Sequence, residues 1–261
     1  MKKFWKKGIW LLFVAGICTV LGFAKSEHKR IPCELPLISI NHDTGHDFIT
    51  DEMVLEKLRN IGYSFQGDQI CEVDLFRVES EIKKISGVAR VEAYTYIDGG
   101  LQIDVVQRRP ILRVINYSGT SFYLDEKGLT MPISDHYSAK VPVVSGNFNE
   151  PLNANVNEIA KVDSIADKTL LDDMFIIAST IDTSDFWKNQ IVQIHVNRNK
   201  EFEMIPRVGS QRIMFGSADA AEGKFKKLEI FYKKGIDADR LNLYDTLSVE
   251  YKGQIVCSKI N

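Results

Sequence analysis

Between Asp74 and Pro110 the spacing of apolar residues changes from helical to alternating, and the change falls at one glycine, Gly87. Leu75, Val78, Ile82 and Ile85 recur at steps of three and four, so they share one helical face. Asp74 stands just before that stripe, where a carboxylate accepts from free helix amides, and Gly87 is the expected stop. From Val88 to Ile97 the period is two: Val91, Ala93, Thr95 and Ile97 point one way, and Arg90, Glu92, Tyr94 and Tyr96 the other. Asp98-Gly99-Gly100 predicts a hairpin, because tight turns need residues that accept positive φ. Leu101, Ile103 and Val105 resume the alternation, and Pro110, which has no amide donor, is expected to close the return strand. A helix and a two-stranded ribbon bury too little apolar surface to fold alone, so this unit requires a partner.

The partner lies upstream. Leu37 to Asn41 reads as a short strand. Thr50 caps a helix whose first turn holds Asp51 and Glu52, where the dipole favours negative charge. Ile49 and Val54 are placed as a hydrophobic staple, Val54, Leu58 and Ile61 form the buried stripe, and Gly62 ends it. The order becomes β-α-α-β-β, most simply a three-stranded sheet with both helices on one face.

After Ile111 strands dominate. Ile111–Tyr117, Ser121–Asp125, Ile191–Asn197, Glu201–Arg207, Gln211–Phe215, Leu243–Tyr251 and Gln254–Ser258 are rich in β-branched or aromatic residues. Two helices are expected, one along Leu170, Met174, Ile177 and Ile181, the other along Ala221, Phe225, Leu228 and Tyr232. Asn149 to Lys168 is polar and reads as a long connection. The fold class is α+β. The expected spans are a tail at 1–7, a transmembrane helix at 8–24, a spacer at 25–36, and domains at 37–109 and 110–261, with no flexible linker between the two domains.

The first span rests on an uncharged run from Gly8 to Ala24, preceded by Lys2, Lys3, Lys6 and Lys7. As a helix it measures roughly 25 Å, near the minimum for a bilayer. Trp5 and Trp10 suit a membrane interface, so we read an uncleaved single-pass anchor in the inner membrane, its basic head cytoplasmic and the bulk outside. A cleaved signal ending at Gly22-Phe23-Ala24 is the alternative, and would make this a secreted ligand-binding or hydrolytic protein.

No catalytic constellation emerges. A net charge of −2 over 261 residues gives no broad basic field for nucleic acid. The chain has no Gly-x-Ser-x-Gly elbow and no phosphate-binding glycine loop. His42 and His46 have a spacing used in metal sites, but they fall in a polar loop and read as a solvated turn, and His195 reads as an outward strand residue. Asp172 and Asp173 complement a helix dipole, and Lys226 and Lys227 read as a solvated helix face. No cofactor, metal or small-molecule substrate is implied. Cys33 precedes the first strand and Cys71 lies between the two helices, so the pair can be neighbours in an oxidising compartment. A bridge and two separate thiols both remain open.

The β-α-α-β-β order behind a short anchor resembles a POTRA domain. The resemblance sharpens at Val73-Asp74-Leu75-Phe76, at Ile82-Lys83-Lys84-Ile85-Ser86-Gly87-Val88, at Asp98-Gly99-Gly100-Leu101-Gln102-Ile103 and at Val106-Gln107-Arg108-Arg109-Pro110-Ile111. It continues through Gly119-Thr120-Ser121-Phe122-Tyr123-Leu124-Asp125-Glu126-Lys127-Gly128-Leu129 and Val141-Pro142-Val143-Val144-Ser145-Gly146. In this order the motifs resemble the FtsQ/DivIB cell-division family over nearly the whole chain.

The resemblance implies a non-enzymatic scaffold of the bacterial divisome. It would bind small single-pass coiled-coil division proteins of the FtsB/FtsL type and help control septal peptidoglycan synthesis. An outer-membrane assembly factor is a further alternative, since POTRA modules also serve there. In the family a partner segment adds a strand to the last strands of the sheet. Carried over, that surface falls on Val249, Glu250, Tyr251, Lys252, Gly253, Gln254, Ile255 and Val256. Where the family reads Asp-Leu-Arg-Tyr, this chain has Ser248-Val249-Glu250-Tyr251, so Glu250 reverses a charge and Tyr251 matches. Tyr251 is open to two roles, partner contact or core packing.

Overall fold

The computed structural model describes residues 10, 13–19, 35–41, 48–64, 73–96, 98–134, 137–150, 169–235 and 238–260. They divide into two compact units, Met1–Gln107 and Arg108–Asn261. His42, His46, Cys33 and Cys71 lie outside the described residues, as does 151–168 of the polar connection. Of the span 8–24 only Trp10 and residues 13–19 are described, and they are helical. Among the described residues no helix is long and apolar enough to cross a membrane.

The first unit runs β1 (Leu37–Asn41), α1 (Asp51–Asn60), α2 (Leu75–Ile82), β2 (Val88–Thr95) and β3 (Leu101–Gln107). Strand β3 lies in the middle of the three-stranded sheet, parallel to β1 and antiparallel to β2. Val54, Leu58, Val78 and Ile82 are buried with Leu101, Ile103 and Val105, so the two periods in the sequence meet in one core. The caps form as expected. Thr50 accepts the Met53 amide and Asp74 the Arg77 amide. Gly62, at φ +100°, turns the chain out of α1. Gln107 adds a tie that periodicity does not reveal: its buried side-chain oxygen accepts the Phe48 and Ile49 amides at 2.8 and 3.0 Å.

Two expectations are corrected here. Helix α2 ends at Ile82 rather than Gly87, and the chain reaches β2 through turns. Gly87 is needed for space instead, since a Cβ there would stand 2.7 Å from Ile49 Cδ1. Strand β3 ends at Gln107, and Pro110 opens the next strand instead of closing this one.

The second unit contains β4 (Pro110–Ile115), β5 (Ser121–Asp125), β6 (Thr130–Pro132), β7 (Val143–Gly146), α3 (Leu170–Asp182) and α4 (Asp185–Gln190). It continues with β8 (Ile191–Val196), β9 (Phe202–Pro206), β10 (Arg212–Gly216), α5 (Ala221–Ile230), β11 (Tyr244–Ser248) and β12 (Val256–Lys259). Among the described residues its nine strands form one sheet in the order β12-β11-β10-β9-β8-β7-β4-β5-β6. Leu171, Met174, Ile177 and Ile181 of α3 and Ala221, Phe225 and Leu228 of α5 join one core with the sheet. Helix α4 is a third helix where the sequence predicts two. It is capped by Ser184 and buries Trp187, whose ring centroid lies 5.1 Å from that of Phe225. At six residues it is too short to show a period. Strands β6 and β7 were missed for the same reason, at three and four residues.

The two arginines before Pro110 both clamp this unit. Arg108 Nε donates to Asp125 at 2.7 Å and its other nitrogens to the Leu129 and Thr130 carbonyls. Arg109 forks onto both oxygens of Asp182 at 2.8 and 2.7 Å and donates to Glu126 at 2.8 Å, joining the start of β4 to the end of α3. Those hydrogen bonds hold the Asp182 carboxyl below the usual carboxylate range.

Two measurements check this arrangement. A carboxyl whose pKa falls on folding adds stability above its unfolded pKa, about 3.9, and loses it as pH drops through the folded value. Asp182→Asn should therefore lower the stability at pH 7 by roughly 1–2 kcal/mol, with the gap from wild type narrowing below about pH 4 in urea titrations. Gly146 sits in β7 at φ +135°, where a Cβ would lie 2.2 Å from the Val196 carbonyl oxygen. Gly146→Ala is expected to cost roughly 2–4 kcal/mol, read from the urea midpoint of Trp187 fluorescence.

Candidate functional site

The nine-stranded sheet ends at β12, and the local chemistry of α5 decides how that strand is presented. Strand β10, helix α5 and strand β11 form a parallel crossover, after which the chain turns back antiparallel to make β12. Its register pairs Tyr244 with Lys259, Thr246 with Ser258, Leu247 with Cys257 and Ser248 with Val256. The Ile260 amide donates to the Leu243 carbonyl at 3.1 Å. By the alternation of an antiparallel strand, Val256, Ser258 and Ile260 turn their backbone groups toward β11, while Cys257 and Lys259 turn theirs outward. Side chains alternate with them. Ile255 packs against the core, Cys257 is half-buried, with burial pushing its thiol pKa up, and Val256 and Ile260 are exposed.

The connection from β11 to β12 is held by one cation. Lys227 Nζ, reaching from α5, donates to the carbonyls of Val249 at 2.8 Å, Tyr251 at 2.5 Å and Gln254 at 3.2 Å. An ammonium has three donors, and here all three meet the backbone of one turn. The Val249 amide donates to the Met214 carbonyl at 3.0 Å, and Gly253 makes the reversal at φ +77°. Lys224 acts in the same way one turn earlier, donating to the Phe215 and Ser217 carbonyls at 3.0 and 2.8 Å, and burial pushes its pKa down. Lys227 is therefore not part of a solvated face, as its charge pattern predicts.

The eight residues marked in the sequence fall on three different environments. Val249 is fully buried. Glu250, Tyr251, Lys252, Gly253 and Gln254 make the exposed turn. Glu250 accepts from Ser248 Oγ at 2.9 Å and lies over Gly216, whose added Cβ would meet it at 2.9 Å. Tyr251 is 53% exposed, which leaves it on the surface instead of in the core. Ile255 supports the strand from the core side, and of the eight Val256 alone stands on β12. The groups that face outward lie further on, at Cys257 and Lys259. Two other strand margins are less open. Strand β6 has three residues and ends in Pro132, and the Ala93 amide of β2 already donates to Glu79 at 2.8 Å. Among the described residues no group of three or more His, Cys, Asp and Glu is placed to hold a metal ion.

The family model described as FtsQ/DivIB, C-terminal related, matches residues 109–258. The chain is also similar to a protein named Cell division protein FtsQ from Geotalea daltonii. The two are 23% identical over 196 residues, which cover 75% of this chain and 67% of that protein. The matched span includes both arginine-clamped strands, Lys227 and most of β12. Replacing Lys227 by methionine keeps its apolar stem and removes the three donors. Lys227→Met should lower local stability by roughly 1–3 kcal/mol. Hydrogen exchange should then speed up at amides 250–259 while the α3 amides stay protected.

Proposed function

We propose that this chain, which belongs to the FtsQ/DivIB family, is a non-enzymatic scaffold of the bacterial division machinery. In this reading Gly8–Ala24 anchors it once in the inner membrane, with the amino terminus in the cytoplasm. The POTRA-like module and the sheet domain stand on the outer side, at the division septum. Its partners are small single-pass coiled-coil division proteins of the FtsB/FtsL type, and through them it helps control septal peptidoglycan synthesis. The observation that carries the reading is the margin of the second unit: a nine-stranded sheet that ends in a strand paired on one side only. A segment that adds there gains main-chain hydrogen bonds from Cys257 and Lys259, and side-chain fit supplies selectivity.

The site residues shift accordingly. Ile255 anchors β12 to the core, so changing it disturbs packing as well as any partner. Cys257 separates the two effects. Its amide points outward, so a proline there leaves the bonds to β11 in place and blocks the open side.

Two experiments test the proposal. A fluorescent protein joined to the amino terminus, away from β12, should form mid-cell bands in dividing cells, and an even distribution would overturn the septal role. Co-purification from those cells should recover small coiled-coil membrane proteins, and Cys257→Pro should reduce that capture at least about tenfold, a loss of roughly 1.4 kcal/mol in binding. Undiminished capture by that variant would rule out strand addition at β12.

A further inference from the structure

The sheet of the first unit turns Val91, Ile103 and Val105 into the core and a second set of side chains the other way. By its register, Leu37, Gln102 and Tyr94 form one row across that second face. Ser39, Asp104 and Glu92 form the next, and Asn41, Val106 and Arg90 the last. Tyr96 lies two residues beyond Tyr94, toward the hairpin, and the two rings meet edge to face with centroids 5.6 Å apart.

Polarity falls along this face. At one end Arg90 pairs with Glu92 at 3.5 Å. In the middle Asp104 accepts from Gln102 Nε2 at 2.8 Å and from the Tyr94 hydroxyl at 3.2 Å. At the other end Leu37 is 67% and Tyr96 47% exposed, and Tyr94 and Leu35 are exposed as well. Four large apolar side chains in the open at one end of a sheet are a patch and not scattered surface residues.

This end is also where the chain enters the module. Strand β1 starts at Leu37, and twelve residues, Lys25 to Pro36, separate Ala24 from it. Fully extended, they reach about 40 Å. With Gly8–Ala24 in a bilayer, the start of β1 is therefore tethered close to the membrane surface. A tyrosine joins an apolar ring to a polar hydroxyl, which suits the boundary between acyl chains and headgroups, and an exposed leucine gains apolar cover there. Four side chains would hold a free protein only weakly, but the tether makes their contact intramolecular. Asp98 limits the depth. It is exposed at the hairpin tip, where it accepts the Gly100 amide at 3.1 Å, and a carboxylate stays among the headgroups.

We propose that Leu35, Leu37, Tyr94 and Tyr96 rest in the headgroup layer of the bilayer that holds the anchor. The hairpin end of the β2–β3 pair then lies against the membrane, and the module does not swing free on its spacer. This contact rests on the single-pass anchor proposed above and deepens it: the anchor supplies the tether, and the aromatic end of the sheet sets the orientation of the first unit.

The test places the full-length chain in phosphatidylcholine vesicles whose acyl chains carry bromine near the headgroups, where it quenches tryptophan. Trp5, Trp10 and Trp187 give a background that the wild-type chain measures. The emission added by Tyr96→Trp should be quenched at least about twofold, and that added by Arg90→Trp, at the far end of the same face, should not. Leu35→Asp and Leu37→Asp, added to the Tyr96→Trp chain, should abolish the quenching while the chain stays on the vesicles through a carbonate wash. A chain that stays bound with Tyr96→Trp emission unquenched would overturn the contact and leave the anchor standing. A chain removed by carbonate would overturn both. Equal quenching at the two ends of the face would overturn the orientation. Emission that is blue-shifted yet unquenched would assign the patch to protein, either the chain's own spacer or a second copy, and would overturn the lipid contact.

Discussion

One ammonium group sets the geometry of the last two strands. The turn between β11 and β12 spans seven residues and has few ladder bonds of its own, yet its carbonyls at Val249, Tyr251 and Gln254 converge on Lys227. Of the three bonds only the one to Val249 is partly buried, so the cation steadies the turn chiefly by tying three carbonyls to one point on α5. With the turn fixed, β12 takes a single register on β11, and the amides of Cys257 and Lys259 are left facing outward. The cation sits on α5, and α5 is seated by Phe225 and Leu228 on the aromatic packing around Trp187. The exposed margin is thus tied through one side chain to the centre of the core.

At the opposite end of the unit a different pair of cations does comparable work. Arg108 closes the turn after β5 on Asp125, which is 2% exposed, and Arg109 ties β4 to α3 through Asp182. The guanidinium fork suits both tasks, because each site needs two or more donors in one plane. Lysine serves at α5, where the three acceptors are carbonyls spread around a point and not the two oxygens of a carboxylate. The chemistry of each cation follows the shape of what it must satisfy.

The architecture was legible where a period is long. The 3.6 and 2 periods across Asp74 to Val105 named Val78, Ile82, Val91, Leu101, Ile103 and Val105 of the first core, though Thr95, placed on the same face, is exposed, and the α3 stripe was visible over thirteen residues. Short elements were not: α4, β6 and β7 offer three to six residues each, too few for any period to stand out. Gly87 was read as a helix stop because glycine commonly ends helices, whereas its role is to make room for Ile49. The site was legible only in part. Family likeness led to the last strands, but it fell on the turn at 249–255 and reached just Val256 of β12. The outward amides of Cys257 and Lys259 follow from hydrogen-bond direction, which side-chain type does not encode. Lys227 was unreadable for a similar reason, since its acceptors are backbone carbonyls more than twenty residues away.

An open strand edge is an aggregation hazard, and β12 carries features that limit it. It has four residues, Lys252 and Lys259 flank it with charge, and its pairing with β11 shifts register between Tyr244 and Thr246. A short edge twisted by an irregularity and rimmed with lysine is a poor template for a second copy of itself, because like charges would meet across the new ladder. The shortness of β12, its irregular pairing and the charge around it therefore limit self-pairing without closing the open side of the strand.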